Sequence, residues 1–596
     1  MPESAVAMEL PESVRAPTFE SLVECWPGTS ELTEAALTRL YPNRRFTLGW
    51  RIPASELGLP EPLIVALERE GAFRVPRIAV ERRPAPCEMP HLESDGVFCL
   101  LPSSMPIRLP VTGELAVYLV KEAVKVYSDA LTGANRKDYL DEFGTYWTLD
   151  CAAGSSVYVW LGDFVQTRTV YTVNVATSVM VADSAECVED WMKKLGHQVK
   201  RQSIRKATFV RLKEPLYPED YPSNSAELLR LLFHRCPDAV EMVLTSVRLG
   251  EDVVVVWCFE HDGQPVMGAT ITRVQHQFPH PRNRGQTFLS GRNRVRVPAN
   301  VLTNRLSQAR FPSKRASVVR VDSDFLVRRT AGDVADAVKN LNVVVVGCGA
   351  LGATVAMLLA QAGVRKMSLI DGDTLTYQNI GRHILGAYYI GRNKAEALRD
   401  EINTRYVDYS ILAFASKWQL ARERNARLFE KADLVISATG DWISEAELNA
   451  LLEAAEVPPT IFAWLERYGV AGHATFVSAD SSLQWALNEY GEAMCQVAKV
   501  PGDTPREAAC GAFYQPFSAA ASAEVAAMTV SLAIAAATSE VTTGQTWTWV
   551  GQYENLLKTG AEIKPFWRPL VFDGPGFQKV YRHQLIPPSN EAVSQQ

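Results

Sequence analysis

Apolar residues fall into two rhythms along this chain. Val343, Val344, Val345 and Val346 form an unbroken β-branched run that enters Gly347-Cys348-Gly349-Ala350-Leu351-Gly352 and then an Ala/Leu-rich stretch. Such a run predicts a strand buried on both faces, a glycine turn and a helix. Further apolar runs at Met367 to Ile370 and Leu434 to Ala438 alternate with helix-compatible stretches after Gly352 and from Asn393. That alternation predicts right-handed βαβ units and a mostly parallel, Rossmann-like sheet over about residues 331–596.

Upstream the spacing changes. From Glu114 to Ala130 the apolar positions Leu115, Val117, Val120, Ala123, Val124 and Tyr127 recur mostly three or four residues apart, which predicts an amphipathic helix packed on a sheet. A helix near Glu31 to Leu40 and a proline-rich passage from Pro76 to Pro90 complete a small α+β domain ending near residue 160. The β-branched runs Val157 to Leu161, Val170 to Val181 and Val253 to Phe259 predict a mixed α/β linker domain over about 161–330. The expected fold class is therefore multidomain, α+β followed by α/β.

A length of 596 residues is more than one hydrophobic core usually serves, which supports that division. A formal net charge of -6 with 21% charged residues gives no global pull toward nucleic acid or anionic membrane. The arginines from Arg273 to Arg329, among them Arg282, Arg284, Arg292, Arg294 and Arg296, read as a solvated loop or docking face rather than a nucleic-acid site. The glutamate-bearing start, Met1 to Pro17, does not read as a secretory signal, so a cytoplasmic location is expected. Ala519 to Ala537 is long and apolar, but its alanines and Glu524 predict a buried helix rather than a membrane span. Ten cysteines without close pairing argue against structural zinc and disulfides.

The glycine turn at Gly347, Gly349 and Gly352 is a candidate phosphate loop. Asp371 ends the next strand, where a carboxylate can accept hydrogen bonds from ribose hydroxyls; to this point NAD and ATP fit equally. Then come Asp373, Asn379, Arg382, Lys394 and, past a later strand, Asp441. Cations gathered beside carboxylates at strand ends suit a nucleoside triphosphate with Mg²⁺: Arg382 and Lys394 neutralise phosphate charge, and Asp441 is placed to hold the metal.

In this order and spacing, residues 331–540 resemble the ubiquitin-activating superfamily, which includes the ThiF/MoeB adenylyltransferases of molybdopterin and thiamine synthesis. The resemblance implies that Gly347, Gly349 and Gly352 line the phosphate turn, Asp371 takes the ribose, Asn379, Arg382 and Lys394 contact phosphates, and Asp441 holds Mg²⁺. It implies adenylation of a protein's C-terminal carboxylate by ATP, and a homodimer through the adenylation domain, with Arg328 or Arg329 as candidates to act across it. Two departures stand out. His383 takes the place of a usual glutamine, and Glu445 and Glu447 occupy the stretch where an arginine often follows the metal aspartate.

Two thiols carry further chemistry. Cys510, in Ala509-Cys510-Gly511-Ala512, precedes a helix whose dipole can acidify it; its position resembles the cysteine with which activating enzymes capture the acyl adenylate as a thioester. Cys99 closes Pro90-His91-Leu92-Glu93-Ser94-Asp95-Gly96-Val97-Phe98-Cys99 and precedes an amphipathic helix, which resembles the active-site segment of ubiquitin-conjugating enzymes. The usual oxyanion-stabilising asparagine is missing, so His91 or Asp95 would assist the attacking amine. His234 and His473 have no ligand-like neighbours in sequence and read as ordinary surface or core residues.

A conjugating-like domain, a linker and an activating-like domain in one polypeptide resemble the fused enzymes of bacterial CBASS antiphage operons. That resemblance implies a protein substrate, a cyclic-oligonucleotide synthase whose C-terminus is joined to a target amine. Two other readings remain open: a sulfur-carrier adenylyltransferase, which leaves Cys99 idle, and a nucleotide-binding scaffold without catalysis.

Overall fold

A computed structural model describes residues 12–68, 75–101, 113–149, 156–249, 251–274, 298–487, 493–499, 517–551, 558–568 and 579–585. The chain divides into two compact units, residues 1–188 with 200–319, and residues 189–199 with 320–596.

The first unit opens with an antiparallel meander of strands Ser30–Leu32, Phe46–Ile52, Leu63–Glu68 and Arg77–Val80. Period-two alternation decides its faces. Leu63, Val65 and Leu67 join Trp50, Ile52, Ile78 and Val80 under the helices Glu12–Cys25 and Gly113–Thr132, while Ile64 and Ala66 pack with Leu37, Tyr41 and Phe46 on the other side. Helix Gly113–Thr132 buries Ala116, Leu119, Val120, Ala123 and Tyr127, the stripe expected from its spacing. The helix expected near Glu31 begins later, at Glu34, because Ser30–Leu32 pairs as an edge strand and Thr33 caps the helix from its side chain.

The rest of the first unit is a seven-stranded closed barrel. Strand Val253–His261 explains the closure: Val254, Val256 and Cys258 point to an interior shared with Val157, Val159, Val181, Phe209 and Ala269, while Val255, Trp257 and Phe259 point outward under the helices Ser225–Arg235 and Asp238–Leu249. A strand apolar on both faces thus serves a barrel wall as readily as a parallel sheet. The run from Val170 to Val181 is two strands, Arg168–Val175 and Ser178–Ala182, paired antiparallel around a turn at Ala176. The short helices Asp138–Asp141 and Phe143–Thr148 are pinned to the barrel by Trp147, whose indole donates to the carbonyls of Ala269 and Ala316.

The second unit is built on an eight-stranded sheet in the order Ser410–Phe414, Lys366–Ile370, Asn342–Val346, Leu434–Ser437, Thr460–Leu465, Ala471–Val477, Gln545–Val550 and Lys579–Gln584. The first five strands run parallel, as the sequence predicts, and the last three add an antiparallel half that it does not reveal. Val343 and Val345 face the helices Ala350–Ala362 and Ala519–Ala537, and Val344 and Val346 face Trp418, Phe429 and Leu448 on the opposite side. Helix Ala519–Ala537 has the length and hydropathy of a membrane span, yet Val525, Ala526, Leu532 and Ala533 are buried against the sheet and helix Ala350–Ala362. Gly472 permits this approach, since a Cβ there would lie 2.2 Å from the Val525 side chain. Eight cysteines are free among the described residues.

Candidate active site

The nucleotide cleft follows from the parallel half of the sheet. Strand Asn342–Val346 ends at Gly347, whose φ of 86° is open to glycine at little cost. Gly349 then caps helix Ala350–Ala362 without a side chain, leaving the first-turn N–H groups to an anion. Gly352 is required by contact: a Cβ would sit 1.9 Å from the Gly347 carbonyl oxygen. Gly352→Ala should therefore open the turn and weaken ATP binding at least ~10-fold by isothermal titration, since overpacking costs about 1–3 kcal/mol.

A cavity of about 440 Å³ lies at this carboxyl edge, and Gly347, Gly349, Asp371, Asp373, Lys394 and Asp441 line it together. The Asp371 carboxylate accepts the backbone N–H groups of Cys348 and Asp373, each at 2.7 Å, so one side chain ties the glycine turn to the following loop. Burial raises its pKa, and those two hydrogen bonds oppose the rise. Lys394 Nζ is 2.9 Å from Asp373 Oδ2. Asp441 caps helix Trp442–Glu453, its Oδ1 accepting from Ile443 N at 3.1 Å and Ser444 N at 3.4 Å. This donor set fits a triphosphate: free N–H groups and an ammonium for phosphate oxygens, and an exposed carboxylate of Asp441 that would hold Mg²⁺.

Gly352 shapes the turn from behind, while Asn379 and Arg382 lie outside the cavity lining. Asn379 Oδ1 accepts from Thr376 N at 3.0 Å, and the Arg382 guanidinium sits 5.5 Å from the centre of the Phe517 ring. His383 is buried; its Nδ1 accepts from Leu385 N at 3.1 Å, so Nε2 carries the proton donated to the Cys348 carbonyl at 2.8 Å. Burial lowers its pKa, consistent with this neutral ring bracing the glycine turn. Arg328 is exposed on helix Ser323–Val338, and the side chain of Arg329 is not among those described.

Ser416, Lys417 and Trp418, after strand Ser410–Phe414, also line the cavity and carry no motif that would reveal them. Glu445 is hidden beneath it. Burial raises its pKa to about 7, against hydrogen bonds from Thr439, Gly440 and Ser437. A carboxyl whose pKa is raised on folding costs stability as pH climbs from about 4.5 through 7. Glu445→Gln should thus raise the melting temperature by several degrees at pH 8, on the order of 3 kcal/mol, with the two proteins nearly equal at pH 4.5. Calorimetry at the two pH values checks the sign.

The Cys99 segment folds back on itself. Leu92 and Phe98 form an antiparallel bridge, Glu93 and Val97 close a turn through Gly96 at φ 91°, and Cys99 N donates to the His91 carbonyl at 2.8 Å. A separation of eight positions is thereby brought to backbone contact, with the Cys99 thiol exposed. His91 adopts φ 60°, held by Tyr146 Oη, which accepts its N–H at 2.8 Å. Its Nε2 is 3.0 Å from Asp138 Oδ2, and its Nδ1 is 3.8 Å from Glu142 Oε1. Asp95 is taken by Arg44, whose Nε donates to it at 2.7 Å, leaving His91 the better placed of the two expected helpers. Asp138, Glu142 and Tyr146 lie 47 or more positions away and were not legible as partners.

Cys510 and the arginines from Arg282 to Arg296 lie outside the described residues. His234 is exposed, as expected. His473 is a core residue, one of the two expected alternatives: it is fully buried and pairs with Glu466 at 2.9 Å across the turn between two antiparallel strands.

The ThiF family model matches residues 322–557. Over 479 residues the chain is 26% identical to the ATP-dependent ubiquitin transferase-like protein Cap2 of Pseudomonas aeruginosa, covering 76% of this chain and 81% of that one. Escherichia coli molybdopterin-synthase adenylyltransferase is 31% identical over 145 residues, 24% of this chain and 56% of its own length. The crystal structure of E. coli MccB with ATP matches at 17% identity with a TM-score of 0.30, covering 43% of this chain and 67% of that one. Residues 322–557 therefore form a ThiF-family domain, and the chain is an enzyme similar over 76% of its length to an ATP-dependent ubiquitin transferase-like protein.

Proposed function

We propose that this enzyme activates the C-terminal carboxylate of a partner protein with ATP and transfers the acyl group, through cysteine thioesters, to an amine. The observation that carries the reading is the joint placement of Gly347, Gly349, Asp371, Lys394 and Asp441 around one cavity at the sheet's carboxyl edge. The carboxylate attacks the α-phosphorus of ATP and pyrophosphate leaves. Helix N–H groups and Lys394 offset the charge gathering on the phosphates, and Asp441 would hold a Mg²⁺ that supplies further positive charge there. Asn379 and Arg382 are assigned to the same phosphates by the resemblance of the sequence, Arg382 resting 5.5 Å from the centre of the Phe517 ring.

The Cys510 thiol then attacks the acyl carbon, AMP departs, and the acyl group is held as a thioester. Cys99 receives it by exchange, and a lysine amine attacks the Cys99 thioester to form an isopeptide bond. His91, oriented by Asp138, takes the proton that the amine loses. The acylated partner in this reading is a cyclic-oligonucleotide synthase of a CBASS antiphage system, the setting cytoplasmic and the enzyme a homodimer through the adenylation unit, as the resemblance of the sequence implies; the similarity to an ATP-dependent ubiquitin transferase-like protein supports a protein substrate. Membranes and nucleic acids have no part in this scheme.

The test is exchange of labelled pyrophosphate into ATP with such a synthase supplied as acyl donor. Exchange should appear only with an intact synthase C-terminus, and Cys510→Ala should keep exchange while losing delivery to Cys99. Thiocarboxylate on the synthase would instead establish sulfur-carrier activation, and ATP binding without exchange a scaffold.

A further inference from the structure

His91 sits at the seam between two hydrophobic cores. Its neighbours Met89, Leu92 and Phe98 pack into the core of the meander sheet, whereas Tyr139, Phe143, Tyr146 and Trp147 belong to the core between the barrel wall and its helices. Both cores lie within the first compact unit. The helices Asp138–Asp141 and Phe143–Thr148 are fixed on the barrel side. The Trp147 carbonyl accepts from Arg315 Nε at 2.8 Å, and Phe143 stacks on Trp147 at 5.3 Å and meets Phe259 edge-on at 5.0 Å. Gly268, on barrel strand Gln264–Thr272, makes room for the indole, since a Cβ there would lie 2.6 Å from it.

From this anchored base, residues 138–146 reach across the seam to the segment that ends at Cys99. The Tyr139 hydroxyl donates to the Cys87 carbonyl at 2.8 Å. Tyr146 Oη accepts the His91 N–H at 2.8 Å and donates to Glu142 Oε2 at 3.2 Å. Burial raises the pKa of this phenol, so it keeps the proton for the second bond. On the His91 ring, Nε2 is 3.0 Å from Asp138 Oδ2 and Nδ1 is 3.8 Å from Glu142 Oε1. A carboxylate only accepts, so the Nε2 proton is turned toward Asp138; 3.8 Å is too long for a hydrogen bond and leaves the Nδ1 lone pair unused by Glu142. His91 also holds φ 60°, which is unfavourable for a residue with a Cβ and persists only where its surroundings fix it. One helical segment of the barrel thus holds both the backbone and the ring of His91.

We propose that the barrel region is part of the Cys99 site, with Tyr146 as the positioning residue that acts through His91 to speed amine attack on a Cys99 thioester. In that step the amine nitrogen bonds to the acyl carbon, one amine proton passes to His91 Nδ1, and the carbon–sulfur bond breaks with its electron pair going to Cys99 Sγ. That Cys99 receives its acyl group from an adenylate rests on the function proposed above; the seating of His91 by the barrel does not.

The experiment loads the full chain with acetyl groups by exchange with the acetyl thioester of N-acetylcysteamine, without ATP. Lysine is then added, and loss of acetyl from each cysteine is followed by mass spectrometry. Cys99 should discharge at least ~10-fold faster than the exposed Cys25. Tyr146→Phe keeps the ring and removes only the hydroxyl; it should slow Cys99 at least ~10-fold and leave Cys25 unchanged. In a His91→Gln background the same substitution should change the rate by less than ~2-fold, because the hydroxyl acts through the imidazole. Equal rates at Cys99 and Cys25, an unchanged Cys99 rate in Tyr146→Phe, or a fully additive loss in the double variant would overturn the proposal. If Tyr146→Phe does not fold, Gly268→Ala displaces Trp147 from the barrel side and should slow Cys99 at least ~3-fold. An unchanged rate in that folded variant would overturn the proposal equally. The acyl group is supplied chemically, so failure here leaves adenylation standing, and absence of pyrophosphate exchange in the wild type leaves the role of Tyr146 standing.

Discussion

Cys99→Ala should abolish isopeptide formation, with a loss of at least ~10³-fold, while the acyl group should accumulate on the adenylating unit as a thiol-sensitive adduct on a non-reducing gel. The expectation follows from the exposed Cys99 thiol at the end of a closed backbone turn, where it is open to a second protein. Unchanged conjugate yield would remove Cys99 from the pathway. His91→Gln and Asp138→Asn probe the proton acceptor beside it. Loss of the base should cost about 10²-fold in amine attack, and the cost should shrink as pH rises and the amine deprotonates unaided. Asp138→Asn should give a smaller loss with the same pH trend, because it disturbs the orientation of the ring and leaves the ring in place.

Asp441→Asn should lower pyrophosphate exchange by about 10²–10³-fold and flatten its dependence on Mg²⁺ concentration. Asparagine caps a helix about as well as aspartate, so the contacts to Ile443 and Ser444 survive and only the charge is lost. Thermal unfolding within a degree or two of wild type would verify that separation. Retained exchange with full Mg²⁺ dependence would show that the metal is held elsewhere. Asp441→Ala is the less informative variant, because it removes the cap together with the charge.

Much of the adenylating unit was legible because its chemistry sits where local sequence changes type. The Val343 to Val346 run, Gly347, Gly349, Asp371 and Asp441 each mark a strand end, and ends of parallel strands converge by topology at one edge of a sheet. Lys394 was legible for the same reason, at the start of helix Lys394–Arg405. Lys417, Trp418 and Glu445 were not, since a lysine after a strand or a glutamate in a helix has no signature until a cavity forms beside it.

The sequence by itself determined the parallel strands, the glycine turn and the amphipathic helix behind Cys99, because each depends on period or on backbone freedom. Tertiary structure alone decided the barrel closure, the antiparallel half of the sheet, the Asp138 partner of His91 and the pairing of buried His473 with Thr548. These depend on pairings between distant segments, where hydrogen-bond register rather than local composition sets which side chains meet.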